Sequence, residues 1–178
     1  TTQGSAATIV AVLDTGVRYD HPDLAGKLLP GYDMVSDAAI SNDLEGRDDN
    51  AEDPGDYVTA AEAGRAPFTD CEASPSSWHG TQVSGIAGAA THNATGMAGA
   101  GWNVRVLPVR VLGKCFGYTS DIAAAIRWAA GLPVPGVPAN NNPARVINLS
   151  LGSDGACSAD ERDAIAAANA AGAVVVAA

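Results

Sequence analysis

Two residues far apart in the chain, Asp14 and His79, could do acid–base chemistry together. His79 stands in SSWHGTQVSGIAGA (Ser76 to Ala89), between an aromatic residue and a run of Gly, Thr, Ser and Ala. The small residues Gly80, Ser84, Gly85, Ala87 and Gly88 suit a helix that approaches other backbone closely, which would put the imidazole at a helix N-terminus. The partial positive charge there disfavours the protonated ring, whereas a nearby carboxylate favours it. An imidazole held between those effects is suited to general-base work. On its own, a histidine at a loop-to-helix junction more often serves structure than catalysis. Asp14 changes that weighting, because in VAVLDTGV a carboxylate directly follows an apolar run, where ionisation is unfavourable without a partner. Gln82 removes the His-x-x-His spacing that would invite a metal reading of the same helix.

The elements that must position these two groups can be read from periodicity. Thr8–Leu13, Val104–Leu112, Arg145–Leu151 and Ala173–Val176 are apolar, β-branched runs that read as buried strands. Asp121–Ala130 places Ile122, Ile126 and Ala129 on one helical face and stops at Gly131. Ser158–Ala171 opens with a capping-box pattern, Ser158 and Glu161, and closes at Gly172. Strands that are apolar throughout and alternate with helices predict a mostly parallel sheet in a three-layer α/β sandwich, helices on both faces. Such sheets carry their sites at the carboxyl ends of strands, where Asp14 falls. Only Ala177 and Ala178 follow the last strand, so the group that strand would deliver is expected to lie outside this sequence. Leu132–Pro143 is a Pro- and Asn-rich connection without chemistry of its own, and neither a repeat nor a domain boundary is visible.

Composition excludes some functions. Twenty acidic residues against ten basic ones in 178 give a net charge of −10, which argues against a nucleic-acid partner. No apolar run is long enough to span a bilayer, and Thr1-Thr2-Gln3-Gly4 lacks the basic and apolar segments of a signal peptide, so the sequence reads as a mature soluble form. Cys71, Cys115 and Cys157 form no C-x-x-C pair. The stretch Asn42–Asp56 packs seven acids and one arginine into fifteen residues. Asp43, Asp48, Asp49, Asp53 and Asp56 offer hard oxygen ligands that suit calcium, although their spacing is not that of an EF-hand.

The stretches IVAVLDTGV, HPDL, WHGTQVSGIAG, VRVLGKC and VINLSLG, in this order and spacing, resemble the subtilisin-like serine proteases, in particular secreted bacterial ones with extra cysteines. The resemblance covers essentially the whole chain. It implies that residues 1–178 are the N-terminal part of one catalytic domain, with Asp14 as orienting acid and His79 as general base. It also implies a substrate cleft walled by Leu112, Gly113, Phe116 and Gly117 on one side and Ser150, Leu151 and Gly152 on the other. A second calcium position, at Asp23 with Asn93, is implied in the same way, while His21 and His92 are assigned to surface turns. Cys71, in an insertion shortly before His79, and Cys115, after the VRVLG strand, should both border the cleft and are expected to pair. Cys157 then needs a partner elsewhere, and a Cys115–Cys157 pairing stays open.

Two departures matter. Gln82 stands where the family usually has a second histidine, a residue understood as structural. The segment bearing the nucleophilic serine, and the asparagine of the oxyanion hole, do not occur, and neither Ser120 nor Ser150 can substitute. The chain alone is therefore expected to hydrolyse nothing, and a second chain carrying the C-terminal remainder is the expected partner, with a polypeptide as substrate. Two rival readings stand beside this one. The first is an inactive, calcium-stabilised module or fragment of the same kind. The second is an aspartic protease using Asp14-Thr15-Gly16, which would need a second such aspartate and an all-β fold.

Overall fold

Strands form where the apolar runs begin and break where polar or glycine residues follow them. The computed structural model describes residues 3–153 and 155–178; Thr1 and Thr2, part of the N-terminal reading above, lie outside the described residues. The elements in chain order are β1 (Ile9–Asp14), a 3-10 turn (Pro22–Leu24), β2 (Tyr32–Asp33), α1 (Ala38–Ser41), α2 (His79–Gly88), β3 (Arg105–Arg110), α3 (Thr119–Ala129), β4 (Val146–Leu149), α4 (Ala159–Ala170) and β5 (Val174–Ala177). Every strand expected from the sequence is present with slightly shifted ends. Only β2 was not foreseen, because two residues carry no periodicity.

The five strands form one sheet in the order β2-β3-β1-β4-β5, and every pairing is parallel. β1 lies at its centre, with Ile9 opposite Arg105 on one side and Val10 opposite Val146 on the other. Alternate residues of β1 face opposite layers. Ala11 and Leu13 join Leu107, Val109 and Ile147 in a core completed by Ile122, Ile126 and Trp128 of α3 and Ala164 and Ala168 of α4. The other face receives α2, whose Gly88 lies against Val104 and Val106. The sheet is thus covered by helices on both faces, as expected for an α/β sandwich.

The helix ends follow local chemistry. Ser158 accepts from the Glu161 amide at 3.1 Å and its own amide donates to the Glu161 carboxylate at 2.9 Å, the reciprocal cap expected from the sequence. In contrast, α2 is preceded by Trp78, in the left-handed region at φ 54°, whose side chain makes no capping bond. The outer strand β5 pairs with β4 alone among the described residues, leaving Val174 and Val176 about half exposed.

Candidate active site

The buried run of β1 ends on Asp14, which is fully buried, while α2 starts on His79, whose side chain is 43% exposed. These two ends meet because Gly80 carries no Cβ: one built there would collide with the Gly16 carbonyl oxygen and touch the Asp14 Cβ at 3.1 Å. With the backbones this close, His79 Nδ1 lies 2.8 Å from Asp14 Oδ1 and 2.9 Å from Oδ2. The Thr15 amide donates to Asp14 Oδ1 at 2.7 Å. Burial pushes the Asp14 carboxyl up from its ordinary value, while the Thr15 amide and the imidazole pull it back. A carboxylate at Nδ1 fixes the ring so that Nε2 is the nitrogen left for a proton-accepting role.

The remaining residues expected at the site fall into two groups. His79, Leu112, Phe116, Gly117, Ser150, Leu151 and Gly152 line one groove of about 640 Å³. Gly113 lines an adjoining hollow of about 370 Å³, together with Leu112, Phe116 and both halves of the Cys71–Cys115 disulfide. Cys157 is free and exposed, at the rim of the larger groove. Ser150 Oγ accepts from the Asn148 amide at 2.9 Å, and Ser120 lies in the first turn of α3.

The acidic stretch behaves differently from a calcium cage. Asp43 bonds to Arg110 at 2.6 Å, Asp53 accepts the Thr15 hydroxyl at 2.7 Å, and Asp56 accepts the Ser77 amide and hydroxyl at 2.6 and 2.7 Å. Asp48 accepts the Asn50 amide, and Asp49 is exposed. Among the described residues no group of three or more acidic, His or Cys side chains converges on a point, so these five carboxylates do not fit one calcium ion. Asp43, Asp53 and Asp56 are met by remote donors that local sequence does not reveal. Asp23 and Asn93, by contrast, do come together, with the Asn93 amide donating to Asp23 Oδ1 at 2.7 Å and the Met97 amide to Oδ2 at 2.8 Å. In the same loop Thr91 Oγ1 is buried without a hydrogen-bond partner, an oxygen that a cation could satisfy.

Other residues near the site carried no clear signal in the sequence. Arg110 is almost fully buried and bonds to Asp33 at 2.5 Å, to Asp43 and to the Ser41 carbonyl. Its register opposite Asp14 on β1 and Asp33 on β2 sets all three on one face of the sheet. His21 and His92 stand apart from the groove; His92 packs edge-on against Trp102.

An all-parallel sheet with a strand-end carboxylate bound to an imidazole, beside a groove, is an α/β arrangement of the kind that can pair an acid with a general base. Residues 5–178 match the Subtilase family, and the chain belongs to it. It is 51% identical over 171 residues to an extracellular protease of Xanthomonas campestris, which covers 96% of this chain and 29% of that protein. It is 45% identical over 168 residues to an extracellular basic protease of Dichelobacter nodosus, covering 94% of this chain and 28% of that one. Among solved structures, a protease from Pseudoalteromonas arctica superposes with a TM-score of 0.89 at 52% identity, over 97% of this chain and 50% of the other. The chain thus spans less than a third of the length of these two relatives and half of the solved structure. Family and sheet both rule against the aspartic-protease reading, since Asp14 faces an imidazole and the fold is not all-β.

Proposed function

We propose that this chain is the N-terminal part of the catalytic domain of an extracellular serine endopeptidase, with Asp14 as the orienting acid and His79 as the general base. The observation that carries the reading is the 2.8 Å contact between a fully buried carboxylate and a half-exposed imidazole at the wall of the groove. The nucleophilic serine and an oxyanion-hole asparagine are supplied by sequence beyond these residues, on the same polypeptide or as a second chain. His79 takes the serine proton as the oxygen attacks the scissile carbonyl, and Asp14 stabilises the imidazolium. An extended peptide lies between the 112–117 and 150–152 segments, held by main-chain hydrogen bonds. The extracellular location is supported by the two bacterial relatives, both extracellular proteases by name, and by the Cys71–Cys115 disulfide.

The test uses the full-length polypeptide and a peptide amide. His79→Ala is expected to lower kcat by about 10⁶-fold and Asp14→Asn by about 10⁴-fold, magnitudes taken from subtilisin and from the convergent chymotrypsin-type triad, with folding unchanged by circular dichroism. Activity retained in either variant would remove the assignment. The inactive-module reading is favoured instead if the full-length protein neither cleaves peptides nor reacts with a serine-directed phosphonate.

Subtilases often bind calcium, and for this chain the position we retain is Asp23 with Asn93, where a carboxylate and a side-chain amide come together in the loop that holds the unpartnered Thr91 hydroxyl. Calcium added after chelation is expected to raise Tm in the wild type and in an Asp48→Ala/Asp49→Ala variant but not in Asp23→Ala. A loss of the effect in the double variant alone would return the ion to the acidic stretch.

A further inference from the structure

The first backbone amides of a helix need acceptors, and the residue that usually supplies one fails here because Trp78 makes no side-chain cap. The amides of His79 and Gly80 are nevertheless satisfied. His79 N donates to Ser77 Oγ at 3.2 Å, and Gly80 N donates to Thr15 Oγ1 at 3.0 Å. Each hydroxyl in turn donates to a carboxylate, Ser77 to Asp56 at 2.7 Å and Thr15 to Asp53 at 2.7 Å. The Ser77 arm lies open to solvent, whereas Thr15 and Asp53 are 4% and 2% exposed.

A hydroxyl has one proton to give and lone pairs to receive with, so its partners decide its direction. An ionised carboxylate only accepts. Asp53, itself held by the Gly55 amide at 2.8 Å, therefore fixes the Thr15 proton toward itself and leaves an Oγ1 lone pair for Gly80 N–H. Thr15 also donates its amide to Asp14 Oδ1. One residue thus grips the carboxylate at the end of β1 with its backbone and the first turn of α2 with its side chain.

We propose that Thr15 and Asp53 are positioning residues for the Asp14–His79 pair, a buried carboxylate–hydroxyl clamp that caps α2 from the turn after β1 and sets the separation between acid and base. This rests on the protease reading above. Neither residue touches the reacting atoms; both act through the register of His79 against Asp14. Asp53 thereby has an assignment that the calcium reading of the acidic stretch had given to a metal.

The experiment uses the full-length protein with three variants. Thr15→Val keeps the shape and removes the hydroxyl; it is expected to lower kcat by about 10- to 100-fold with KM within about twofold, the size of loss that small misplacement produces. Thr15→Ser, which restores the hydroxyl, is expected to recover kcat to within about threefold of wild type. Should Thr15→Val fail to fold, Asp53→Asn takes its place, with a kcat loss of about threefold or more at unchanged KM expected because an amide offers one acceptor where the carboxylate offers two. Wild-type kcat in the folded Val variant, or failure of Ser to rescue it, overturns the clamp, as does wild-type kcat in Asp53→Asn where that variant is the one read. If the wild type itself cleaves nothing, the protease reading fails, and the clamp is judged by the downfield proton resonance of His79 Nδ1. Its loss in Thr15→Val and return in Thr15→Ser support the clamp; an unchanged resonance in Thr15→Val removes it.

Discussion

The residues that could be found from the sequence are those whose surroundings are local. Asp14 is legible because an apolar strand runs straight into it, and His79 because small residues follow it along a helix. Asp33 is not, since its partner Arg110 lies on another strand and nothing near Asp33 in sequence announces it. Burial pushes the Asp33 carboxyl from 3.8 up to about 7, against the pull of the Arg110 guanidinium. The native state therefore holds this proton at pH values where the unfolded chain has released it. The stability it brings is complete below about pH 4 and is lost as pH rises through about 7. Urea unfolding of the full-length protein across that window is expected to show stability falling less steeply with pH in Asp33→Asn than in wild type. Asp14 and Asp53 are pushed the same way by burial, so part of the slope should remain. An unchanged slope in Asp33→Asn would mean that the carboxylate is ionised throughout.

Elements were readable where pattern and caps agree, as in α4 with its Ser158–Glu161 box. Ser158→Ala is expected to lower stability by about 1 kcal/mol, measured by chemical denaturation. The segment between α1 and α2 was opaque, because charge density alone does not say which remote donor meets each carboxylate. In the structure it is bound at several points to other elements. The Cys71–Cys115 bridge ties it to the loop after β3, and Lys114 bonds to Glu62 at 2.6 Å with its ammonium 4.7 Å from the Tyr57 ring centroid. A loop this long gives the crosslink a large entropic effect on the unfolded chain. Replacing both cysteines by alanine is expected to remove about 2–4 kcal/mol, with activity at low temperature retained if the wall of the groove survives on its other contacts. A Tm within a degree of wild type would show that the lysine and the aromatic rings hold the segment by themselves.

At the scale of the whole molecule, the parallel sheet and its two helical layers followed from alternation alone, while the extent of the sheet did not. β5 shows an apolar, half-exposed edge, and the relatives continue well beyond the matched region. Residues 1–178 expressed by themselves are expected to self-associate through this edge, and Val176→Lys should reduce the association seen by light scattering. A monodisperse wild-type segment would show that the edge is protected in some other way. The order of strands has a kinetic side as well. β1 sits between β3 and β4, so Val10 has Val106 on one side and Val146 on the other, both far along the chain. Both pairings close contacts far apart in sequence, and the closing of such distant contacts is slow. The strand that carries Asp14 at its tip is thus fixed on both sides only once Arg105–Arg110 and Val146–Leu149 have folded against it.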